Sequence, residues 1–191
     1  MIETGKKIVY TVWLLSIAAV FLTYLIYPGL FTAKSLVHVL ETFQTELLVV
    51  YILVTFIRGF FMIPSTPFVL GGAILFPDML LLVLIISMAG VLFSATCIYY
   101  FSDILGFSGY LESKYPDAVA VWQERLQHPR AFAIVTGWAF FPLVPTDLIC
   151  YAGGIIKMPV RFVLGGVFIG ELTLNIFYVY AGSSIFTLLI G

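Results

Sequence analysis

The feature that most limits the fold of this chain is a pattern of prolines and glycines that occurs twice. Each copy has a Pro-x-x-Pro motif, then a Gly-Gly pair, then a proline five residues after the second glycine. The copies run from Pro64 to Pro77 and from Pro142 to Pro159, and the second has four extra residues before its glycines. Proline removes a backbone donor and glycine is costly in a helix, so neither stretch can form one straight helix.

Both copies lie in sequence that is apolar enough for a membrane. The chain is 62% hydrophobic and only 10% charged, whereas a soluble domain carries about 25% charged residues. We therefore predict an all-α polytopic membrane protein. Broken helices persist at membrane depth only where they are buried in protein or line a watery cavity. Paired interruptions of this kind indicate the binding site of a transporter.

The N-terminal part of the chain predicts an anchor followed by a surface helix. The uncharged run 8–33 is long enough to cross a hydrocarbon core of about 30 Å, and its length favours a retained anchor over a cleaved signal peptide. Residues 32–45 place apolar side chains on one face, which predicts an amphipathic helix lying in the interface. We group these two elements as an N-terminal region, 1–45.

The remaining sequence, 46–191, predicts the main membrane domain. Residues 47–57 are uncharged but too few to span the bilayer alone, and they lead into the first broken segment. The runs 79–102 and 160–190 are each long enough for a full span.

Lysine and arginine positions predict the orientation. We assume that the N-terminus is cytoplasmic and that each broken segment enters and leaves by the same face. Seven basic residues near the span ends then fall on the cytoplasmic side and one, Lys34, falls outside. The cytoplasmic set is Lys6, Lys7, Lys114, Arg125, Arg130, Lys157 and Arg161. This topology makes the broken segments re-entrant hairpins of about 59–77 and 138–158, on opposite faces as an inverted repeat, and it places the C-terminus outside.

Three charged residues in apolar surroundings are the candidate substrate- and ion-binding groups. Arg58 could present a bidentate fork to a lipid phosphate, or it could snorkel to the interface or pair with an acid. Asp147 could carry a proton, because desolvation favours the neutral carboxyl, or it could cap a half-helix that begins after Pro145, and either role allows pairing with Arg58. Glu171 could carry a proton or pair with Arg58, or it could lie at a helix–helix seam with Asn175.

The prolines and glycines of the two copies have a predicted structural role. Gly-Gly pairs permit a sharp chain reversal or a close helix contact. Half-helices beginning near Pro67 and Pro145 would point their N-terminal amides at the bilayer centre, where they could hold an anion such as a phosphate. The predicted hairpin-forming residues are Pro64, Pro67, Gly71, Gly72, Pro142, Pro145, Gly153 and Gly154.

An ordered set of residues across about 55–183 carries a family resemblance. In the first half the set is Arg58, Pro64, Pro67, the run 70–76, Gly90, Ser94, Tyr99 and Gly106. In the second half it is Pro142, Pro145, Asp147, Tyr151, the run 152–154, Met158, Pro159, Phe162, Gly170, Tyr178, Tyr180 and Gly182. This set resembles the DedA/VTT superfamily, whose eukaryotic members were once called SNARE-associated Golgi proteins.

The resemblance implies two opposed re-entrant hairpins and a lipid transporter or scramblase. Bacterial members are linked to recycling of undecaprenyl phosphate or to movement of phospholipids, often driven by the proton-motive force. The chain departs from the family in lacking the arginine that many members carry before the second Pro-x-x-Pro motif, where it reads Trp138-Ala139-Phe140-Phe141. It also lacks a clear acidic residue between Arg58 and Gly72.

We therefore predict a transporter that moves a phosphate-headed lipid, either a phospholipid or a polyprenyl phosphate, between leaflets. The predicted partners are such lipids and a proton or monovalent cation, with no nucleic acid, no cofactor and no metal; a homo-oligomer is left open. The alternatives are an ion- or solute-coupled transporter and a non-catalytic assembly factor. An enzyme is disfavoured because the chain has no H-E-x-x-H or G-x-S-x-G motif. The short chain leads us to expect a prokaryotic inner membrane.

Overall fold

The computed structural model describes residues 2–104, 113–126, 128–141 and 144–190, and within these ranges it contains helices and their connections but no strand. The all-α prediction is confirmed for this part of the chain. The α-helices are α1 (Ile2–Ile26), α2 (Ala33–Leu40), α3 (Leu47–Ile57), α4 (Thr66–Leu75), α5 (Leu80–Ile104), α6 (Pro116–Leu126), α7 (Pro129–Ala139), α8 (Thr146–Ile155) and α9 (Val160–Ile190).

Among the described residues, four helical stretches are long and apolar enough to cross a membrane. They are Ile8–Ile26, Ala33–Phe61, Pro77–Ser102 and Val160–Gly182. Three correspond to the spans expected from the sequence. The fourth stretch, Ala33–Phe61, was not predicted as a span, because the sequence indicated a surface helix followed by a segment too short to cross a membrane.

The structure corrects the predicted helix over 32–45. α2 ends at Leu40, and a 3-10 segment, Glu41–Glu46, joins it to α3, with non-helical backbone angles at Phe43. Its predicted apolar face is divided as well: Leu40 is buried and Leu36 packs into the same core, whereas Val39 and Phe43 are exposed. α2 therefore packs partly against protein, where Leu36 lies next to Gly71 of α4.

Helices are interrupted at both Pro-x-x-Pro motifs, as the prolines predict. In the first break, a 3-10 turn over Arg58–Phe61 ends at Met62, which has a left-handed backbone (φ 54°), and α4 begins with Pro67 in its first turn. In the second break, α7 ends at Ala139 and α8 begins directly after Pro145. Pro142, which the sequence analysis assigned to this hairpin, lies outside the described residues.

The Gly-Gly pairs lie inside α4 and α8 and serve helix contact rather than chain reversal. A Cβ on Gly72 would overlap the Tyr51 hydroxyl of α3, and a Cβ on Gly154 would overlap the Tyr99 carbonyl of α5. Gly71 and Gly153 face side chains at 3.0 and 2.9 Å from a hypothetical Cβ, those of Leu36 and Val163. The glycines therefore let each half-helix approach its neighbours closely.

The interior has two apolar cores that share the long helices α5 and α9. The first core contains Leu40, Tyr51, Val69, Val83, Ile86 and Val179. The second core contains Val91, Ala95, Ile98, Ala131, Val135, Ala139, Cys150, Met158, Val163 and Val167. α5 reaches the first core before the second, whereas α9 reaches the second core before the first. The two helices therefore pass the cores in opposite order.

Candidate functional site

Buried polar side chains gather mainly where the two cores meet. Of the predicted site residues, Arg58 and Asp147 are each 4% exposed and Glu171 is 2% exposed. The full buried polar set among the described residues is Thr55, Arg58, Ser87, Ser94, Ser102, Asp147, Glu171 and Asn175. All three ionisable members of this set were predicted from the sequence, and the snorkelling alternative for Arg58 is wrong.

Arg58 lies in the 3-10 turn of the first break and reaches the second break. Its Nη1 is 3.6 Å from Asp147 Oδ2, an ion pair, and it donates a hydrogen bond to the Ile63 carbonyl at 2.9 Å. The guanidinium carbon lies 5.9 Å from the centre of the Phe68 ring. The Nε donor of Arg58 is buried and has no hydrogen-bond partner among the residues that the structure describes. Arg58 therefore has a donor to spare for a ligand.

Asp147 lies in the first turn of α8 without capping it. The N-cap residue is Pro145, and no side chain caps this helix, so the predicted capping role is wrong. The Ser94 hydroxyl of α5 donates to Asp147 Oδ1 at 3.2 Å, while Oδ2 faces Arg58. The carboxylate thus connects α8 to α5 and to the first break.

Glu171 lies in α9 and joins the starts of both half-helices. The Ser65 hydroxyl, at the N-cap of α4, donates to Glu171 Oε2 at 3.3 Å, and the Thr146 hydroxyl, at the start of α8, donates to Oε1. Asn175, one turn further along α9, is also buried, and its amide donates to the Met88 sulfur of α5 at 3.2 Å, so both residues lie at contacts between helices, as the structural alternative for Glu171 predicted. The Glu171 carboxylate therefore occupies the place near two helix N-termini that favours an anion.

Gly59 makes the close approach of the two breaks possible. A Cβ at this position would overlap the Ser94 side chain and lie 3.0 Å from Asp147 Oδ1. Any side chain here would push apart the ion pair and the Ser94 hydrogen bond. Gly59 was not predicted as a site residue from the sequence, although its position directly after an arginine in an apolar run was an indication of such a role.

A small cavity lies among these groups. It is lined by Arg58, Asp147 and Glu171 together with Ser65, Thr146 and both flanking prolines, Pro64 and Pro145. Its volume is about 10 Å³, which is near the minimum needed for one water molecule. The free space among the described polar groups is therefore about the size of one water molecule.

A family comparison identifies the group to which this architecture belongs. The model of the VTT domain matches residues 63–184, which is most of the chain. The chain belongs to the VTT domain family. This is the DedA/SNARE-associated Golgi protein-like family, and it agrees with the predicted resemblance. Comparisons with curated proteins and with solved structures give no match.

The matched VTT domain contains only part of the polar cluster. Asp147 and Glu171 lie within it, whereas Arg58 and Gly59 come before its first matched residue, Ile63. The cation of the site is thus supplied by the 3-10 turn that leads into the VTT domain. This region and the spanning helices together make an integral membrane protein with a charged centre.

The hydroxyl groups that connect the charges were not predicted as site residues from the sequence. Ser65 and Thr146 each lie next to a motif proline, and Ser94 faces Asp147 from α5. Hydroxyls beside prolines at membrane depth were the available signal, since they satisfy backbone or carboxylate groups that lack water. Among the described residues, no group of three or more His, Cys, Asp or Glu side chains could hold a metal ion.

Proposed function

We propose that this protein moves a phosphate-headed lipid between membrane leaflets, without catalytic chemistry, and that it couples this movement to a proton. The observation that carries the proposal is the buried cluster of Arg58, Asp147 and Glu171 at the N-termini of two half-helices. Guanidinium groups and helix N-termini are both phosphate-binding elements. In the proposed site, Arg58 holds the phosphate between the two breaks.

Glu171 supports an exchange mechanism. Its carboxylate accepts hydrogen bonds from the hydroxyls of Ser65 and Thr146. A phosphate oxygen would need these same two donors. In the same way, the Asp147 carboxylate forms an ion pair with the Arg58 guanidinium, which a phosphate would also need. A lipid phosphate must therefore displace both carboxylates from their donors, so the acids act as internal competitors of the substrate.

The charge balance of the cluster supports proton coupling. One guanidinium faces two carboxylates, and an uncompensated buried charge is strongly unfavourable. Adding an anionic phosphate increases the negative charge further, and protonation of a carboxylate both removes charge and frees its donors. Binding of phosphate and binding of a proton should therefore strengthen each other, because such coupling is reciprocal.

The small size of the polar cavity supports an alternating mechanism. At about 10 Å³ it has no room for a phosphate group. We propose that the two breaks are re-entrant hairpins of an inverted repeat, entering from opposite faces, and that they separate to admit the lipid. The opposite order in which α5 and α9 pass the two cores supports this arrangement. We further propose a cell membrane with the N-terminus cytoplasmic and the C-terminus outside.

An ion-coupled solute transporter is the second candidate. The observation that favours it is the excess of carboxylate over guanidinium in the cluster. In that case a monovalent cation would supply the missing positive charge, and phosphate would have no role. A sodium or potassium requirement at constant pH would distinguish this candidate from the lipid transporter.

Reconstitution in liposomes tests the proposal. Vesicles carry either a labelled phospholipid or a labelled polyprenyl phosphate, with and without a pH gradient, and transfer between leaflets is followed by chemical quenching of the outer label. We expect transfer of at least one lipid above empty vesicles, acceleration by the gradient, and loss of both in Arg58→Gln. Arg130→Gln is the matched control, because that arginine is exposed. No transfer by folded protein would refute the lipid proposal.

Cysteine labelling tests the topology separately. Single cysteines are placed at Asp78, after the first half-helix, and at Arg161, after the second, in a background lacking Cys97 and Cys150. An impermeant maleimide added outside should label Asp78→Cys but not Arg161→Cys in intact cells, and opening the cells should expose the second. Labelling of both from one face would contradict the inverted repeat.

A further inference from the structure

An apolar groove lies beside the polar cluster, between α1 and the two helix breaks. On α1 its wall is one helical face, Ile17, Val20, Phe21 and Tyr24. The rest of the lining is Phe31, Phe61, Met62, Ile63, Pro64, Pro145 and Leu148. Its volume is about 340 Å³. A cavity of about 150 Å³ with a similar lining binds benzene, so this groove has room for a longer hydrocarbon segment.

The groove exists because α1 packs against the rest of the protein near Trp13 but is only partly covered nearer its C-terminal end. Trp13 donates its indole N–H to the Phe60 carbonyl at 2.7 Å, and its ring packs at 5.3 Å against both Phe101 and Tyr151. Two to three turns further along α1 the same face is only partly covered: Phe21 is 59% exposed and Tyr24 is 44% exposed. Among the residues that the structure describes, no side chain fills the space between the groove walls.

The groove and the polar cavity lie side by side and share two lining residues. Pro64 and Pro145, one from each break, line both spaces. The polar cavity is also lined by Arg58, Asp147 and Glu171, whereas the rest of the groove lining is apolar and aromatic. A ligand that fits across this boundary must be charged at one end and a hydrocarbon chain at the other.

We propose that this groove holds the hydrocarbon chain of the lipid whose phosphate binds the polar cluster, with α1 as its outer wall. The inference rests on the proposed function and adds a site for the chain. Lipid tails are as apolar as the groove lining, so the groove gains no hydrophobic free energy from the chain. Its effect is steric: it keeps the tail in hydrocarbon and directs the head group to Arg58.

Photolabelling tests this site directly. The probe is a phosphatidic acid analogue with a diazirine in the first part of one acyl chain, reconstituted with the full chain in phosphatidylcholine vesicles. We expect labelled residues within Ile17–Tyr24 and at Leu148, and we expect excess unlabelled phosphatidic acid to reduce this labelling. The matched control probe is the diacylglycerol with the same chain, which lacks the phosphate and should not be enriched at these positions.

Filling the groove gives a second measurement. Val20→Trp places an indole in the groove, and Leu22→Trp is the control, because Leu22 lies outside the groove and is 57% exposed. A clash of ordinary overpacking size corresponds to roughly tenfold weaker occupancy. We expect about a tenfold loss of competable labelling and of lipid transfer in Val20→Trp, with little change in Leu22→Trp.

The outcomes separate this inference from the proposed function. Two outcomes would overturn the chain site while leaving the transport proposal intact. In the first, lipid transfer proceeds but labelling is spread evenly over exposed residues. In the second, Val20→Trp and Leu22→Trp transfer lipid equally well. Competable labelling of the groove without transfer retains the chain site and refutes transport. Disulfide crosslinking of Phe21→Cys between two copies, with no lipid labelling there, would show that a second copy covers the groove and would overturn the proposal.

Discussion

The two helix breaks share a proline and glycine sequence pattern but contribute opposite charges. The first supplies Arg58 and the N-cap hydroxyl of Ser65, whereas the second supplies Asp147 and the hydroxyl of Thr146. Both hydroxyls reach the same acceptor, Glu171 of α9. A helix starts in each break, with Pro67 inside the first turn of α4 and Pro145 just before α8, and the residues that differ between the copies make the breaks attract each other.

The breaks also differ in how their charged groups are held. Arg58 is fixed locally, by the Ile63 carbonyl of its own break. Asp147 is fixed from outside, by Ser94 of α5. The comparison indicates that Arg58 has a support within its own break, whereas Asp147 is held by α5 and by the first break.

The largest effect should come from removing the charge of the first break. Arg58→Ala leaves Asp147 and Glu171 as buried carboxylates without a cation, a change that costs about 3–5 kcal/mol. Asp147→Asn should cost less, about 1–3 kcal/mol, because Glu171 remains to balance Arg58. Chemical unfolding in detergent at neutral pH measures both, and equal losses would show that Arg58 serves Asp147 alone.

The next effect concerns the close approach of the breaks. Gly59→Ala would overlap Ser94, and we expect a loss of about 1–3 kcal/mol in unfolding free energy from this overpacking. Gly137→Ala in α7 is the matched control, since a Cβ there meets no atom within 4 Å. That control should be neutral or stabilising by up to about 1 kcal/mol. A tolerant Gly59→Ala would mean that the breaks separate easily.

The equivalence of the two hydroxyls can be tested through Glu171. Ser65→Ala and Thr146→Val each remove a hydrogen bond to its carboxylate, and each should cost about 1–2 kcal/mol. Double-mutant cycles with Glu171→Gln measure the coupling. We expect both couplings to be favourable, whereas a coupling for one hydroxyl alone would show that α9 supports only one break.

The smallest effect compares two tryptophans, one at each break. Trp13 donates to the Phe60 carbonyl at 2.7 Å, and Trp138 donates to the Pro145 carbonyl at 3.4 Å. Trp13→Phe should therefore cost about 0.5–1.5 kcal/mol and Trp138→Phe less, because the second bond is long. Thermal unfolding in detergent measures both losses of stability. A larger loss for Trp138→Phe would contradict the prediction that the shorter hydrogen bond contributes more.

Several parts of the candidate site followed from residue type and surroundings. A charged side chain within a long uncharged run must be buried with a partner or exposed at the interface, so Arg58, Asp147 and Glu171 were identifiable. Their hydroxyl partners were not, because serine and threonine are common in membrane helices and often bond to their own backbone, as Thr96 does with Leu92. Gly59 was missed because its role depends on a neighbour that is distant in sequence.

The sequence by itself determined the helical class, the interruption of two helices and the charged residues at the centre. These follow from local physics: an apolar chain must satisfy its backbone bonds within helices, and proline prevents it from doing so at fixed positions. Only the tertiary structure decided that Glu171 joins both half-helices, that Asp147 pairs with Arg58, and that α1 leaves a groove beside them. These features depend on contacts between residues up to 106 positions apart, and such distances follow from helix packing rather than from any local pattern.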